Sequence, residues 1–385
     1  MNQIAHDTLL FNLHDLILLM AVGQYVLLAV LLFCTRKQTE KSSYLLCAFL
    51  LLNAAQSVDT LIIWSDQLRL LTLNWHPSLF FWGHIGVWLQ GPLLYLYVAS
   101  VLYKDFRFKP TDALHLLPAV TVTGLLINVY YSLPKAEQIQ GMQNLQFMWT
   151  PLMGNLTTLR YLSVVAYGAW CLFALARYRK QLRHQYANLE VSERSWLTWV
   201  VLGVVLIASW ALVVHLIGNN IEHTLSNFMG IGGNYFSFIF VNSLVFTSIR
   251  YTHLFDGLSS TQPVSAEEPT AEEKGFKDEH ILRIQNYMQQ HKPYLDNNIN
   301  LEHLAQKVSL PERTLSRIVN QHFNKNFFEF INTYRIDEAK KLLKQDKTKA
   351  IIDVLAEAGF SSKSTFNSIF KQQVGMTPSQ YRKLE

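Results

Sequence analysis

Cysteine is rare in this sequence and follows no functional spacing. The three cysteines among 385 residues are Cys34, Cys47 and Cys171, and each lies within an apolar stretch. Zinc sites and disulfide frameworks need cysteines in close pairs or in even numbers. We therefore interpret all three as small hydrophobic side chains and predict no metal, disulfide or redox centre.

Charge is also scarce, since only 16% of the residues are Asp, Glu, Lys or Arg, whereas 50% are hydrophobic. The apolar part of the chain contains no H-E-x-x-H, G-x-S-x-G or Walker A motif. It also has no pair of carboxylates at a spacing that acid–base catalysis uses. We predict from these absences that the chain is not an enzyme and uses no cofactor.

Seven apolar blocks occupy the chain up to about Arg250. Each has roughly 20 residues, the length at which a helix crosses ~30 Å of hydrocarbon. We predict membrane spans at residues 13–34, 43–63, 79–102, 113–132, 156–175, 197–217 and 230–249. Pro92 and Pro118 are expected to kink two of these helices.

Lysine and arginine are distributed unequally between the short connections of these spans. Eleven fall in one alternating set of connections, and only Arg69 and Lys135 fall in the other. Because positive residues are retained on the cytoplasmic side, we predict an outside N-terminus and seven crossings. Everything after the last span is then cytoplasmic.

A polar segment separates two parts of different composition. Residues 257–275 read GLSSTQPVSAEEPTAEEKG, and almost none of them is apolar, so they cannot offset the entropy of ordering by burial. We therefore predict a transmembrane region at residues 1–256, a flexible linker at residues 257–275 and a soluble domain at residues 276–385.

Two helix-turn-helix patterns occur in the soluble domain. Apolar residues recur with helical spacing on both sides of a turn at Ser309, and again on both sides of a turn at Gly359. Two short helices joined by so tight a turn form a helix-turn-helix. Between them, FFEFINTYRIDEAKKLLKQ predicts a connecting helix with one apolar face and charges opposite. The predicted fold class is all-α, a bundle of about seven membrane helices followed by a double helix-turn-helix domain.

Such a domain presents two recognition helices to DNA. The second helix of each unit would enter the major groove, and adjacent grooves on one face of B-DNA lie ~34 Å apart. Residues 276–385 contain 17 Lys and Arg against 12 Asp and Glu, an excess that favours contacts with phosphate. Double-stranded DNA is therefore the predicted partner.

The soluble domain also resembles a known family. LEHLAQKVSLPERTLSRIVNQHF, INTYRIDEAKKLL and GFSSKSTFNSIFKQQVGMTPSQYR are similar to the DNA-binding domain of AraC/XylS-type bacterial transcription regulators. The resemblance covers roughly residues 281–383. The sequence departs from the family at two places. Ser309 stands where the family often has glycine, and Leu355-Ala356 reverses the family's usual order of a small residue before a large one. The resemblance implies RNA polymerase as a second partner.

Six residues of the two second helices resemble the family's DNA-facing positions. They are Arg313, Ser316 and Arg317 in the first unit, and Lys363, Ser364 and Asn367 in the second. Their chemistry fits DNA independently, because arginine forks to guanine, asparagine pairs with adenine, and serine or lysine reaches bases or phosphates. The alternative for each is a solvated helix surface.

The apolar half resembles the membrane region of tethered regulators that have about seven spans ahead of an AraC-type domain. Ionisable residues within spans are costly and so are candidates for function. The candidate ligand-sensing residues are Asp59, His84, Arg160 and His215, all expected toward the outer half of their helices. One hypothesis is a pocket open to the outside, in which Asp59 pairs with Arg160. The alternative is polar groups that reach water or bond between helices.

The sequence as a whole predicts a transcription regulator of the bacterial cytoplasmic (inner) membrane, in contact with the lipid bilayer. In this hypothesis the spans sense an unknown small molecule or envelope signal, and the cytoplasmic domain binds promoter DNA. Homodimerisation would raise operator affinity by avidity. Proteolytic release at the linker is a further alternative. Two other classes stay open: a membrane transporter or enzyme with an appended DNA-binding domain, and a structural scaffold.

Overall fold

Regular structure in this protein is helical. The structure, a computed structural model, describes residues 12–35, 41–103, 106–187, 195–220, 223–250 and 278–384. Within these ranges the β pairing consists of one isolated antiparallel bridge, between Tyr186 and Asn300. The predicted all-α fold class is confirmed. The predicted linker, residues 257–275, lies outside the described residues.

Seven segments of the described chain are long and apolar enough to cross a membrane, as the sequence predicts. They are Leu13–Cys34, Lys41–Trp64, Pro77–Leu102, Pro110–Tyr131, Pro151–Leu182, Trp196–Asn219 and Leu225–Val245. The α-helices of this region are α1 (Leu13–Thr35), α2 (Lys41–Trp64), α3 (Asp66–Trp75), α4 (Trp82–Gly86), α5 (Gln90–Leu102), α6 (Leu117–Leu126), α7 (Lys135–Gln143), α8 (Pro151–Leu182), α9 (Ser195–Asn220) and α10 (His223–Arg250).

The third and fourth segments are interrupted helices. In the third, a short 3₁₀ helix precedes α5, and in the fourth, 3₁₀ turns precede α6 and a π-helical turn follows it. Pro92 lies in the first turn of α5 and Pro118 in the first turn of α6. Proline is tolerated there because the amide it lacks has no partner within the helix.

The chain divides into two compact units. The first comprises Met1–Leu175 and Ser195–Ser260, and the second comprises Ala176–Arg194 and Thr261–Glu385. The α-helices of the second unit's C-terminal part are α11 (Asp278–His291), α12 (Leu301–Lys307), α13 (Glu312–Gln321), α14 (Phe327–Gln345), α15 (Ile351–Glu357), α16 (Lys363–Val374) and α17 (Pro378–Leu384).

Helix α14 joins two hydrophobic cores. It begins with a capping box, in which the Asn326 side chain accepts from the Glu329 amide at 2.9 Å and the Glu329 carboxylate accepts from the Asn326 amide at 3.2 Å. The first half of α14 contributes Phe327, Phe330 and Ile331 to a core with α12 and α13. The second half contributes Ile336, Ala339 and Leu343 to a core with α15 and α16. One continuous helix therefore holds both halves of the domain.

Candidate nucleic-acid interface

The described helices form two helix-turn-helix units, α12 with α13 and α15 with α16. Asparagine caps the first helix of the first unit, where Asn300 Oδ1 accepts from the His303 amide at 2.7 Å. Serine caps the second helix of the second unit, where Ser362 Oγ accepts from the Thr365 amide at 3.4 Å. Side chains therefore cap α12 and α16, whereas α13 follows Pro311, whose carbonyl accepts from the Leu315 amide at 3.0 Å.

The turns of the two units share one backbone geometry. Ser309 has φ 54° and Gly359 has φ 84°, both in the left-handed region. In the first turn the Leu310 amide donates to the Ala305 carbonyl at 3.0 Å, and in the second the Phe360 amide donates to the Leu355 carbonyl at 2.9 Å. The first turn therefore keeps the left-handed residue although serine occupies it.

Ser309→Gly is expected to stabilise the first helix-turn-helix by about 0.5–1 kcal/mol. A left-handed conformation costs a non-glycine residue ~1–2 kcal/mol, and the greater freedom of glycine in the unfolded chain offsets ~0.4–1 of this. Hydrogen exchange of the α12 and α13 amides, followed by mass spectrometry, measures the change. The control Ser368→Gly, at an exposed position within α16, should destabilise by about 0.5 kcal/mol. Faster exchange in Ser309→Gly would contradict the prediction.

The predicted DNA-facing residues of α13 share one side of that helix. Arg313 is exposed, and Ser316 and Arg317 are half-buried, at i, i+3 and i+4. The opposite side is formed by Leu315, Ile318 and Val319, all buried in the first core. Asn320 lies on the side of the predicted DNA-facing residues, and its Nδ2 donates to Ser316 Oγ at 3.3 Å. Sequence reasoning missed Asn320, although its helical spacing from Ser316 and Arg317 could have found it.

Helix α16 repeats this arrangement in the second unit. Lys363 and Ser364 are exposed in its first turn, and Asn367 is half-buried one turn later. Phe366, Ile369 and Phe370 are buried on the other side. Ser364 Oγ lies 3.0 Å from Ser362 Oγ, so this hydroxyl belongs to the cap of the helix as well. Each unit thus presents three predicted residues at the start of its second helix.

An acidic residue opens α13 beside these groups. Burial, and secondarily the negative charge of Glu302, raise the pKa of the Glu312 carboxyl above its ordinary value. A carboxylate at the N-terminus of a helix is favoured by the helix dipole. A carboxylate at this position also disfavours a phosphate close to the start of α13.

The predicted ligand-sensing residues fall into two groups within the first unit: Asp59 contacts His84, and Arg160 and His215 both lie beside Tyr161. Asp59 is buried and contacts His84 Nδ1 through its carboxylate. Arg160 is buried with its guanidinium carbon 4.2 Å from the Tyr161 ring centroid. His215 Nε2 lies 3.0 Å from both the Gly154 carbonyl oxygen and Thr158 Oγ1.

The sequence analysis pairs Asp59 with Arg160, whereas in the structure the partner of Asp59 is His84. A glycine explains the difference. A Cβ added to Gly83 would lie 2.5 Å from Asp59 Cβ, so the bare backbone of α4 approaches α2 closely and brings His84 to the carboxylate. This contact depends on the short helix α4, which the sequence does not predict.

Residues 304–384 match the family described as helix-turn-helix domain. The melibiose operon regulatory protein of Escherichia coli (strain K12) is 35% identical over 89 residues, 23% of this chain and 29% of that protein. An uncharacterized HTH-type transcriptional regulator of Haemophilus influenzae is 31% identical over 87 residues, 23% of this chain and 29% of that protein. Another, of Staphylococcus aureus (strain COL), is 32% identical over 108 residues, 28% of this chain and 14% of that protein.

The family match lies in the C-terminal part of the chain, and the spans of the first unit lie outside it. The chain spans about 29% of the length of the first two of these proteins. No solved structure matches the chain.

Proposed function

We propose that this chain, whose C-terminal residues form an AraC-type helix-turn-helix domain, is a membrane-tethered transcription regulator that binds promoter DNA in response to a signal. The observation that carries the proposal is the pair of recognition helices on a single connecting helix. Because α14 belongs to both hydrophobic cores, α13 and α16 are held to one another rather than hinged. A rigid pair suits two adjacent major grooves of one operator.

Within the site, each residue has a role that its chemistry supports. Arg313 and Arg317 donate to guanine O6 and N7, and Asn367 exchanges two hydrogen bonds with adenine. Lys363 neutralises a phosphate at the start of α16, and Ser316 and Ser364 donate to bases or phosphates. Asn320 holds Ser316 in place for this contact.

The lipid bilayer is the proposed surrounding of the first unit. Large apolar side chains such as Phe173, Trp199 and Phe228 are 69–75% exposed on three of its long helices. Apolar surface on this scale is unfavourable in water and favourable in hydrocarbon. Together with the distribution of Lys and Arg, this supports insertion in the bacterial cytoplasmic membrane with the C-terminal domain in the cytoplasm.

The signal is proposed to act on the polar contacts buried within the spans. Asp59, His84 and His215 are titratable groups among apolar helices, and His215 contacts the Gly154 carbonyl and the Thr158 hydroxyl. A small molecule or envelope signal that competes for these groups would change the packing of α2, α4, α8 and α9. RNA polymerase and a second copy of the chain are the proposed further partners on the cytoplasmic side.

The full chain, reconstituted in lipid nanodiscs, should select one DNA sequence from a random double-stranded library. Footprinting of that sequence should reveal protection in two adjacent major grooves, about 10 base pairs apart. Uptake of solutes by the reconstituted chain, together with binding indifferent to DNA sequence, would instead favour a transporter with an appended domain.

Arg317→Ala should weaken binding to the selected operator by about 5- to 150-fold, corresponding to the loss of ~1–3 kcal/mol for one bidentate base contact. Discrimination at the base pair that Arg317 reads should be relaxed as well. Lys341→Ala removes the same charge from an exposed side chain of α14, and it should change affinity by less than about twofold. Equal effects of the two substitutions would mean that Arg317 acts only through its charge.

A further inference from the structure

Residues 183–187, which follow α8, are seated on the first helix-turn-helix within the second unit. Tyr186 pairs with Asn300 in the antiparallel bridge. The Leu301 amide donates to the Gln185 carbonyl at 2.8 Å, and the Ala187 amide donates to the Ile299 carbonyl at 3.4 Å. The Phe328 amide donates to the Arg183 carbonyl at 3.0 Å. A segment between two predicted spans is thus part of the DNA-binding unit.

Two of these hydrogen bonds satisfy helix N-termini. Leu301 is the first residue of α12 and Phe328 the second residue of α14. Amides at such positions have no carbonyl partner within their own helix. The side chains of Asn300 and Asn326 serve the amides of His303 and Glu329 instead. Carbonyls of residues 183 and 185 therefore complete the caps of both helices that flank the recognition helix α13.

Ala187 anchors the segment in the interior. Its side chain is 1% exposed and belongs to the first hydrophobic core. Its carbonyl accepts from Asn332 Nδ2 at 3.3 Å and from Arg335 Nη1 at 3.5 Å, two buried side chains of α14. The segment is thereby fixed to α12, to α14 and to the core that orients α13.

We propose that residues 183–187 are a clamp through which the membrane region controls the first helix-turn-helix, and that the docked clamp is the DNA-binding state. The proposal rests on the proposed function. Helix α8 begins in the first unit and ends in the second, so a displacement of α8 moves the clamp directly. Withdrawal of the clamp opens the caps of α12 and α14 and loosens α13, whereas α16 keeps its own core.

The first arm of the test measures docking without DNA. Tyr186 and Asn300 form a non-hydrogen-bonded antiparallel pair, in which the Cβ atoms lie ~4.5–5.5 Å apart, a distance near that of a disulfide. The full chain with Cys34, Cys47 and Cys171 replaced by alanine, carrying Tyr186→Cys and Asn300→Cys, should form an intramolecular disulfide in native membranes. Each single-cysteine variant is the control. Failure of the pair to cross-link overturns the proposal.

The second arm measures DNA binding in nanodiscs. The double-cysteine variant should bind the operator with the same or higher affinity after its disulfide forms than in its reduced state. A loss of affinity on disulfide formation overturns the assignment of the docked state. Ala187→Glu should weaken binding about tenfold, the effect of two lost capping hydrogen bonds, and remove protection only over the half-site of α13. The matched control Ala176→Glu, at an exposed position of α8, should keep both half-sites.

Other outcomes of the Ala187→Glu experiment overturn the clamp. Retention of both half-sites means that docking is not needed for DNA binding, and loss of both means that the segment supports the whole unit without selecting the first helix-turn-helix. If the unsubstituted chain protects no DNA site, the proposed function fails, and the cross-linking arm still reports on docking.

Discussion

Replacing Arg335 by methionine is expected to lower the free energy of unfolding of the second unit by about 3–5 kcal/mol, because two backbone carbonyls lose a charged donor at ~1.5–3 kcal/mol each. The Arg335 side chain is 1% exposed. Its Nε donates to the Tyr294 carbonyl at 2.7 Å and its Nη2 to the Asp296 carbonyl at 2.9 Å. Methionine is unbranched and apolar and has no donor, so both carbonyls would lose this partner.

Burial lowers the pKa of Arg335 to about 10, and the nearby Asp296 opposes this shift. The guanidinium therefore remains charged at neutral pH, where its carbonyl partners compensate for its removal from water. Arg335 lies in α14 between the residues of the first core and those of the second. Its loss should loosen the relation between the two recognition helices as well as destabilise the unit.

Urea-dependent hydrogen exchange of the α14 amides measures this destabilisation. The control Lys341→Met changes an exposed cation on the same helix and should cost less than about 0.5 kcal/mol. The loss of stability in Arg335→Lys should lie between those of Arg335→Met and Lys341→Met, because an ammonium lacks the planar fork that reaches both carbonyls. A loss below about 1 kcal/mol for Arg335→Met would contradict a network role and fit a single ordinary hydrogen bond.

The sequence predicts what depends on local spacing and misses what depends on distant partners. The seven apolar segments follow from the length of apolar runs, and both helix-turn-helix units follow from hydrophobic periodicity. Both signals depend on neighbouring residues alone. The pattern of the connecting helix predicts charges opposite its apolar face, but it does not predict that the Arg335 side chain is buried. Its partners at Tyr294 and Ala187 are 41 and 148 residues away in the chain.

Residues 183–187 illustrate the same limit. Positive charges near the end of α8 indicate only a cytoplasmic connection between spans. The contacts that seat the segment are backbone hydrogen bonds, and backbone groups carry no residue-specific pattern that a sequence could reveal. In the same way, the contact of Asp59 with His84 depends on the space left by Gly83, which only the three-dimensional packing exposes.

Gly359→Ala is expected to destabilise the second unit by about 2–5 kcal/mol. The sequence identifies Gly359 as a turn residue, and its φ of 84° alone makes alanine cost ~1–2 kcal/mol. The structure adds a close approach, because a Cβ here would lie 2.5 Å from the Tyr294 carbonyl oxygen and 2.9 Å from Leu295 Cα. These are backbone atoms that cannot rotate away, so overpacking adds about 1–3 kcal/mol.

The matched control is Gly375→Ala at the end of α16. Gly375 has the same φ of 84°, but an added Cβ would meet nothing within 4 Å. The control therefore measures the backbone strain alone, about 1–2 kcal/mol, and the difference between the two variants measures the contact with the turn at Tyr294. Equal losses of stability would contradict the close approach.

The two largest predicted effects should also be coupled. Arg335 donates to the Tyr294 carbonyl, and the new methyl group of Gly359→Ala would press on the same oxygen. In the double variant Arg335→Met, Gly359→Ala the turn at Tyr294 no longer binds residue 335. The added methyl group therefore displaces this turn at lower cost. The summed single-variant losses should therefore exceed the loss in the double variant by ~0.5–3 kcal/mol. Additive losses would mean that the turn does not connect α14 to the second helix-turn-helix, and that the helix alone fixes the two recognition helices.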